Sequence, residues 1–561
     1  MYQPSQLDTK LLKERAVQFQ GQLNRFKEGR TTAEEFKPLR LQNGLYIQRH
    51  APMLRIAIAY GMLNSAQLRK LGQISEKYDR GYGHLTTRQN MQLNWIEVDD
   101  VPKALKELAM VGLHGIQSSG NCLRNITSDA FAGISVDEIL DPRPFAELLR
   151  QWSTFHPELS FLPRKFKVAF TGTPEDRALI QVHDLAFEAI SNTPEAIFRV
   201  RAGGGLGRIP VLGPIIKEEL NWKDIRSYTH ALMRVYNELG RRDNLTKARI
   251  KILIRTVGVE IFKSMVDAEF KNLKNSADKL SIEDLEKIKM RFSDAEFLGF
   301  GPTDKNRSSK IKKNLGDGFR KWLSNNVYDH RLDNFKAVLI PAKGLDKAPG
   351  DLSSKEMYKL ADIADAFSHG MLRVTHTQDI LLPMVKANDL SDLYINLKSH
   401  TLINPVGGLL TDMVCCPGGD FCQLANARSI PLAEEISFRF KELDKLENLG
   451  PIDLRISGCM NSCGHHHIGH IGILGVDKGG ASYYQLLLGG HSGHGAPAAL
   501  GKIVGKAFAE DEIADAIEEV LNFYVEIRLD GENFRESLIR LGHESFVKAA
   551  NQVRRTLGEK R

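Results

Sequence analysis

Residues 84–96 read HLTTRQNMQLNWI, and residues 372–383 read LRVTHTQDILLP. Both runs are rich in strand-forming residues and share a skeleton, Thr86-Thr87-Arg88-Gln89-Asn90 beside Thr375-His376-Thr377-Gln378-Asp379. Each precedes a segment with helical periodicity, 101–108 and 390–397. A second echo pairs GGGLG at 203–207 with GGHSGHG at 489–495. Two copies of one unit would set matching loops on opposite sides of a shared crevice. A duplicated architecture is one reading of these echoes, and chance, in matches this short, is the other.

At 561 residues the chain exceeds what one hydrophobic core usually supports. Hydrophobic residues at 42% and charged residues at 26% suit a soluble enzyme and exclude a disordered or fibrous chain. The net charge of +7 is mild for this length and calls for no nucleic-acid partner. The opening MYQPSQLDTKLLKERAVQFQ turns charged before any apolar core develops, unlike a secretory leader. Apolar runs such as MLRIAIAYGML at 53–63 are too short or interrupted to cross a bilayer. A reducing cytoplasm and no membrane partner are the expectation. Along the chain the patterning predicts strands over 53–60 and 164–170 and helices over 66–78 and 222–239. The charged stretch 269–294 reads as a solvated insertion or helical excursion, and the basic run 308–313 as a connection.

Six cysteines occur, Cys122 alone and Cys415, Cys416, Cys422, Cys459 and Cys463 close together. A disulfide framework needs a smaller, denser chain, so the cluster points to metal or redox chemistry. The settings are CPGGDFC at 416–422 and SGCMNSCGHHHIGHIG at 457–472. Two pairs supply the four sulfurs that a 4Fe–4S cube requires. Zinc is the competing reading, because His465, His466, His467 and His470 crowd the second pair. Spacing alone does not choose between Cys415 and Cys416.

With LTTRQ at 85–89, GNCLRN at 120–125, LPRKFK at 162–167 and GGGLG at 203–207 in this order, the chain resembles the haemoprotein subunits of assimilatory sulfite reductases, within the wider sulfite/nitrite reductase family. The resemblance covers nearly the whole length. It implies sirohaem coupled to a 4Fe–4S cluster, with Cys416, Cys422, Cys459 and Cys463 as cluster ligands and Cys463 as the bridge to the haem iron. It also implies an α+β multidomain fold with a pseudo-twofold internal duplication: an N-terminal arm over 1–55, ferredoxin-like half-domains over 56–117 and 330–405, and sirohaem-binding domains over 118–329 and 406–561, the latter carrying the cluster.

Lys165 and Lys167 alternate with Phe166, Val168 and Phe170, a pattern that by itself describes an ordinary wet strand face. The resemblance makes them paired active-site lysines, joined by Arg88 and Arg124 as substrate-facing cations. It further suggests Arg55, Asn121, Asn125, Arg199, Gly204, Gly205 and Asn461 as cofactor-pocket residues. His183 and Asp184 read as supporting rather than catalytic. Cys122 reads as a buried thiol, although ferredoxin-dependent relatives suggest a link to a tyrosine, with Tyr46 as the candidate. The activity implied is reduction of sulfite to sulfide, favoured by Phe166-Lys167 where nitrite-reducing relatives have Trp-Asn; nitrite reduction is the alternative, and a non-catalytic iron–sulfur or zinc protein a remote one. GGGLG lacks the Walker ending, and no flavin or NADPH motif is evident. A separate electron donor is therefore expected, a ferredoxin or a flavoprotein subunit.

Overall fold

The computed structural model describes residues 6–292 and 315–554. Each of the two echoing runs folds as a hairpin rather than one strand. Tyr82–Leu85 returns through residues 86–90 into Met91–Leu93, and Met371–Val374 returns into Ile380–Lys386. The turns close alike: Thr86 N donates to Asn90 O at 2.9 Å and Thr375 N to Asp379 O at 3.0 Å. Each turn needs one left-handed residue, and glutamine takes it both times, Gln89 at φ 56 and Gln378 at φ 65. A non-glycine there is disfavoured, so the side chain must return something.

The hairpins sit in two antiparallel sheets that exchange an edge. One runs Leu45–Ile47, Pro52–Ile56, Met91–Leu93, Tyr82–Leu85 and ends on Asp351–Ser353; the other runs Val327–Asp329, Phe335–Ile340, Ile380–Lys386, Met371–Val374 and ends on Met62–Asn64. Each exchanged strand ends in a capping box, Asn64 with Gln67 and Ser353 with Glu356, which starts the helices Ser65–Tyr78 and Ser354–Phe367. Leu54, Leu68, Leu85, Leu360, Leu372 and Ile380 share one buried core, so the two halves fold together.

Two further sheets repeat a second pattern. Thr127–Ser128, Val168–Thr171 and Leu185–Ser191 are parallel, followed by antiparallel Ile197–Ala202 and Ile215–Asn221. Val414–Cys415, Leu454–Ser457 and Ile471–Lys478 are parallel, followed by antiparallel Ala481–Leu488 and Lys502–Ile503. The glycine runs at 203–207 and 489–495 both follow the fourth strand. The chain is thus an α+β multidomain protein with internal duplication.

Three readings change. The first fifty residues hold the helices Gln6–Lys27 and Ala33–Gln42, whose Phe19, Leu23 and Phe36 enter the shared core. The charged stretch after residue 269 is helical in Val259–Leu273 and Ile282–Lys289 but is no solvated insertion: Phe270, Leu273, Leu280, Leu285, Ile288 and Phe292 form a buried stripe under its charges. The strand expected from 164 begins only at Val168, leaving Lys165 and Lys167 in its lead-in. The basic run 308–313 lies outside the described residues. Among them no helix is long and apolar enough to cross a membrane.

Candidate active site

Between the hairpins and the two larger sheets lies a cavity lined by Arg55, Arg88, Arg124, Asn125, Lys165, Lys167, Cys416, Asn461 and Cys463. A short main-chain ladder sets the cations side by side: Phe166 N donates to Cys122 O at 3.0 Å, and Arg124 N to Phe166 O at 2.7 Å. The Arg124 guanidinium then donates to Ser118 O at 2.9 Å and Gly120 O at 2.7 Å. Arg55, on strand Pro52–Ile56, is held by Gln92 Oε1 at 3.0 Å from Nε.

Arg88, at the first hairpin tip, donates to Asn125 O and, at 2.5 Å, to His183 Nε2. His183 Nδ1 is spent on Leu179 O at 2.7 Å, so Nε2 must accept and the ring is neutral. Burial, then Arg88 and Lys167, hold its pKa well below the usual value.

Neither lysine ammonium has a hydrogen-bond partner among the described residues. Burial pushes Lys165 down to about 8, with Arg124 and Arg249 adding to the fall and the Cys463 sulfur opposing it. Lys167 is also held well below its usual value, by burial first and then by Arg88 and Lys165. Desolvated cations that crowd one another without partners form a site for an anion.

Sequence reasoning missed Arg249. It donates to Asp184 Oδ1 from Nε at 2.9 Å and Nη2 at 2.7 Å, while Asp184 Oδ2 accepts the Lys167 N–H at 2.8 Å. A single arginine before a helix carries no pattern that could have revealed it.

The four proposed cluster cysteines are electrostatic neighbours: Cys416 feels Cys463 and Cys459, Cys422 feels Cys463, and Cys459 feels both Cys463 and Cys422. Burial followed by Cys463 raises Cys416 to about 12, and burial also raises Cys422 and Cys459. Thiols held this high ionise only against a positive group such as iron. Gly458 N donates to Cys416 Sγ at 3.2 Å and Leu424 N to Cys422 Sγ at 3.4 Å, the kind of bond that stabilises thiolates of an iron–sulfur cluster. The donor set therefore fits a 4Fe–4S group.

Zinc would require ligands about 2.3 Å from one ion. Among the described residues no three His, Cys, Asp or Glu side chains are grouped to hold a metal ion, a result that bears equally on zinc and on the cube. Of the crowded histidines, His467 Nε2 donates to Gly207 O at 3.1 Å, and neither ring nitrogen of buried His466 has a hydrogen-bond partner among the described residues. Cys415 packs in the apolar core with Leu454 and Ile456, whereas Cys416 faces the other thiols.

Other proposed residues lie elsewhere. Asn121 is exposed, its carbonyl accepting from Leu162 N at 2.8 Å. Arg199 pairs with Glu188 at 3.3 Å and Glu218 at 3.2 Å. Gly204 packs its backbone against residues 181–183, and Gly205 O accepts from Lys251 Nζ at 3.0 Å. Cys122 Sγ donates to Ser119 O at 3.1 Å, and Tyr46 also borders Ser119, beside Arg124 and Arg55.

Comparison with known proteins divides the chain along the same duplication. The family described as nitrite and sulphite reductase 4Fe-4S domain matches residues 119–274 and 407–556, and the nitrite/sulfite reductase ferredoxin-like half domain matches 46–111 and 345–400. The chain is 27% identical to sulfite reductase (ferredoxin) 1 of Mycolicibacterium paratuberculosis, over 88% of this chain and 83% of that one. It is 28% identical to the chloroplastic ferredoxin–nitrite reductase of Arabidopsis thaliana, over 84% of this chain and 75% of the other. The solved structure of the Mycobacterium tuberculosis NirA protein superposes with a TM-score of 0.73 and 26% identity, covering 91% of this chain and 90% of that one.

Proposed function

From the premise that the chain belongs to the nitrite and sulfite reductase family, we propose that it reduces a small oxoanion, sulfite or nitrite, by six electrons. The supporting observation is one cavity lined by Arg88, Arg124, Lys165 and Lys167 together with Cys416 and Cys463. When bound, sirohaem and the 4Fe–4S cluster supply the iron and the electrons. Cys416, Cys422, Cys459 and Cys463 would hold the cluster, and Cys463 would also hold the haem. Arg55, Asn125 and Asn461 would hold the macrocycle.

The rest belongs to the protein. Arg88 and Arg124 have their guanidinium groups fixed before substrate arrives, so they stabilise the anion without reorganising. Lys165, pushed down to about 8, holds a proton on Nζ that it can give to a departing oxygen near neutral pH.

Two acceptors fit. The likeness to nitrite reductases gives the nitrite reading broad support among the comparisons. The sulfite reading is supported by Lys167, since a second ammonium suits a doubly charged anion that must shed three oxygens. Relatives named for ferredoxin support a ferredoxin-type donor, with a separate flavoprotein as the alternative.

Steady-state reduction of sulfite and of nitrite by the holoprotein with a chemical reductant tests the proposal. Failure on both anions contradicts it. Lys167→Asn is expected to lower kcat/KM for sulfite about tenfold more than for nitrite, the scale of one charged hydrogen bond. An equal loss removes the argument for sulfite.

A further inference from the structure

The two hairpins do more than wall the cavity. Gln378, at the tip of the second, accepts the Cys415 N–H on Oε1 at 2.8 Å. Its Nε2 lies 3.0 Å from Cys415 O and 2.8 Å from Leu85 O, both acceptors. One carboxamide thus grips both main-chain polar groups of Cys415, the residue immediately before Cys416, and ties them to the other half of the duplication. From the first hairpin, Thr87 Oγ1 donates to the carbonyl of Cys463 at 2.8 Å. Thr87 is itself held, because His376 Nδ1 of the second hairpin donates to Thr87 O at 3.1 Å.

The pseudo-twofold provides an internal control. Gln89 makes the corresponding bonds, donating to Val374 O at 3.0 Å and accepting from Ser128 N at 3.2 Å. Ser128 and Cys415 each end the two-residue first strand of their sheets. A glycine faces each carboxamide at positive φ, Gly61 at 73° and Gly350 at 89°. A Cβ on Gly350 would come within 2.9 Å of Gln378 Nε2, and one on Gly61 within 2.7 Å of Gln89 Nε2. The duplicated device grips a cysteine strand in one copy and a cysteine-free strand in the other.

We propose that Gln378 and Thr87 are positioning residues of the four-cysteine site: the two hairpin tips, reaching in from the half-domains, fix where Cys416 and Cys463 stand relative to each other. The inference rests on the reading of these cysteines as ligands of a 4Fe–4S cluster. The paired thiol loops alone have the flexibility of glycine-rich turns, and groups that orient a ligand are commonly as necessary as the ligand itself.

Anaerobically purified holoprotein is compared with Gln378→Met, Gln378→Glu, Thr87→Val, Thr87→Ser and Gln89→Met. Iron and acid-labile sulfide content, the cluster's EPR line shape and the rate of iron loss to a chelator are read together with Tm. Gln378→Met and Thr87→Val should release iron about ten- to a hundredfold faster and alter the EPR signal. Gln378→Glu, which can no longer donate, should behave like Gln378→Met, and Thr87→Ser should restore wild-type behaviour. Gln89→Met should lower Tm as Gln378→Met does while leaving iron retention and line shape unchanged. Wild-type iron retention in Gln378→Met and Thr87→Val overturns the proposal. So does accelerated loss in Gln89→Met, which would show a general effect of the interface. A wild-type protein that holds no 4Fe–4S cluster overturns the underlying reading, a result seen before any variant is compared.

Discussion

At matching places in the two halves stand Asn125 and Asp412. Asn125 Nδ2 donates to Asn90 Oδ1 at 2.8 Å, a neutral pair. In the other half Lys343 Nζ lies 2.5 Å from Asp379 and 3.4 Å from Asp412, two carboxylates around one ammonium. Asp379 is nearer, so Asp412 is the one that keeps a proton: burial, then Asp379, push it up to about 8. The folded state therefore binds a proton that the unfolded chain has released between about pH 4 and about pH 8. The contribution of Asp412 to stability should fall as pH rises through that window. Asp412→Asn, which installs the residue the other copy already uses, should flatten this dependence while leaving the protein folded at pH 7. Urea unfolding across the window checks it, and an unchanged slope would count against the assignment. At this scale the cysteines and the lysine pair were legible because their pattern is local. Arg249 and Thr87 were not, because Asp184 and Cys463, the groups that give them meaning, are distant in sequence.

The repeating element is a hairpin, an exchanged strand and a capped helix. The sequence echo exposed its turn, since Gln89 and Gln378 sit in identical left-handed positions. Strand exchange left no trace, because edge pairing over hundreds of residues has no local signature. The two capped helices cross closely at Gly72, where an added Cβ would come within 2.7 Å of Tyr358 Cε1. Tyr358 is also fixed at its hydroxyl, which donates to Glu76 Oε2 at 2.7 Å. Alanine ordinarily favours a helix over glycine by about 1 kcal/mol. Here Gly72→Ala should instead destabilise by about 1–3 kcal/mol through overpacking. Thermal melts of the variant and of Gly72→Ala with Tyr358→Leu decide it, with the second change expected to recover part of the loss. A gain in Tm from the single substitution would show that the crossing is not tight.

Across the whole molecule, three large cores surround the crevice, and each contributes a wall. The half-domains present Arg55 and Arg88, the first larger sheet presents Lys165 and Lys167, and the second presents the cysteines. Duplication makes such a crevice, and divergence of the copies makes their contributions chemically unlike: Lys165 and Lys167 from one larger sheet, Cys416 and Cys463 from the other. The buried stripe after residue 269 was hidden beneath its charges, since an amphipathic helix with a narrow apolar face reads as polar on average. Electron delivery and anion binding meet only if Cys463 belongs to both centres. Variable-temperature EPR of anaerobically purified, metal-replete protein addresses that directly. A 4Fe–4S cluster magnetically coupled to sirohaem iron is the predicted result, and two independent signals would contradict it.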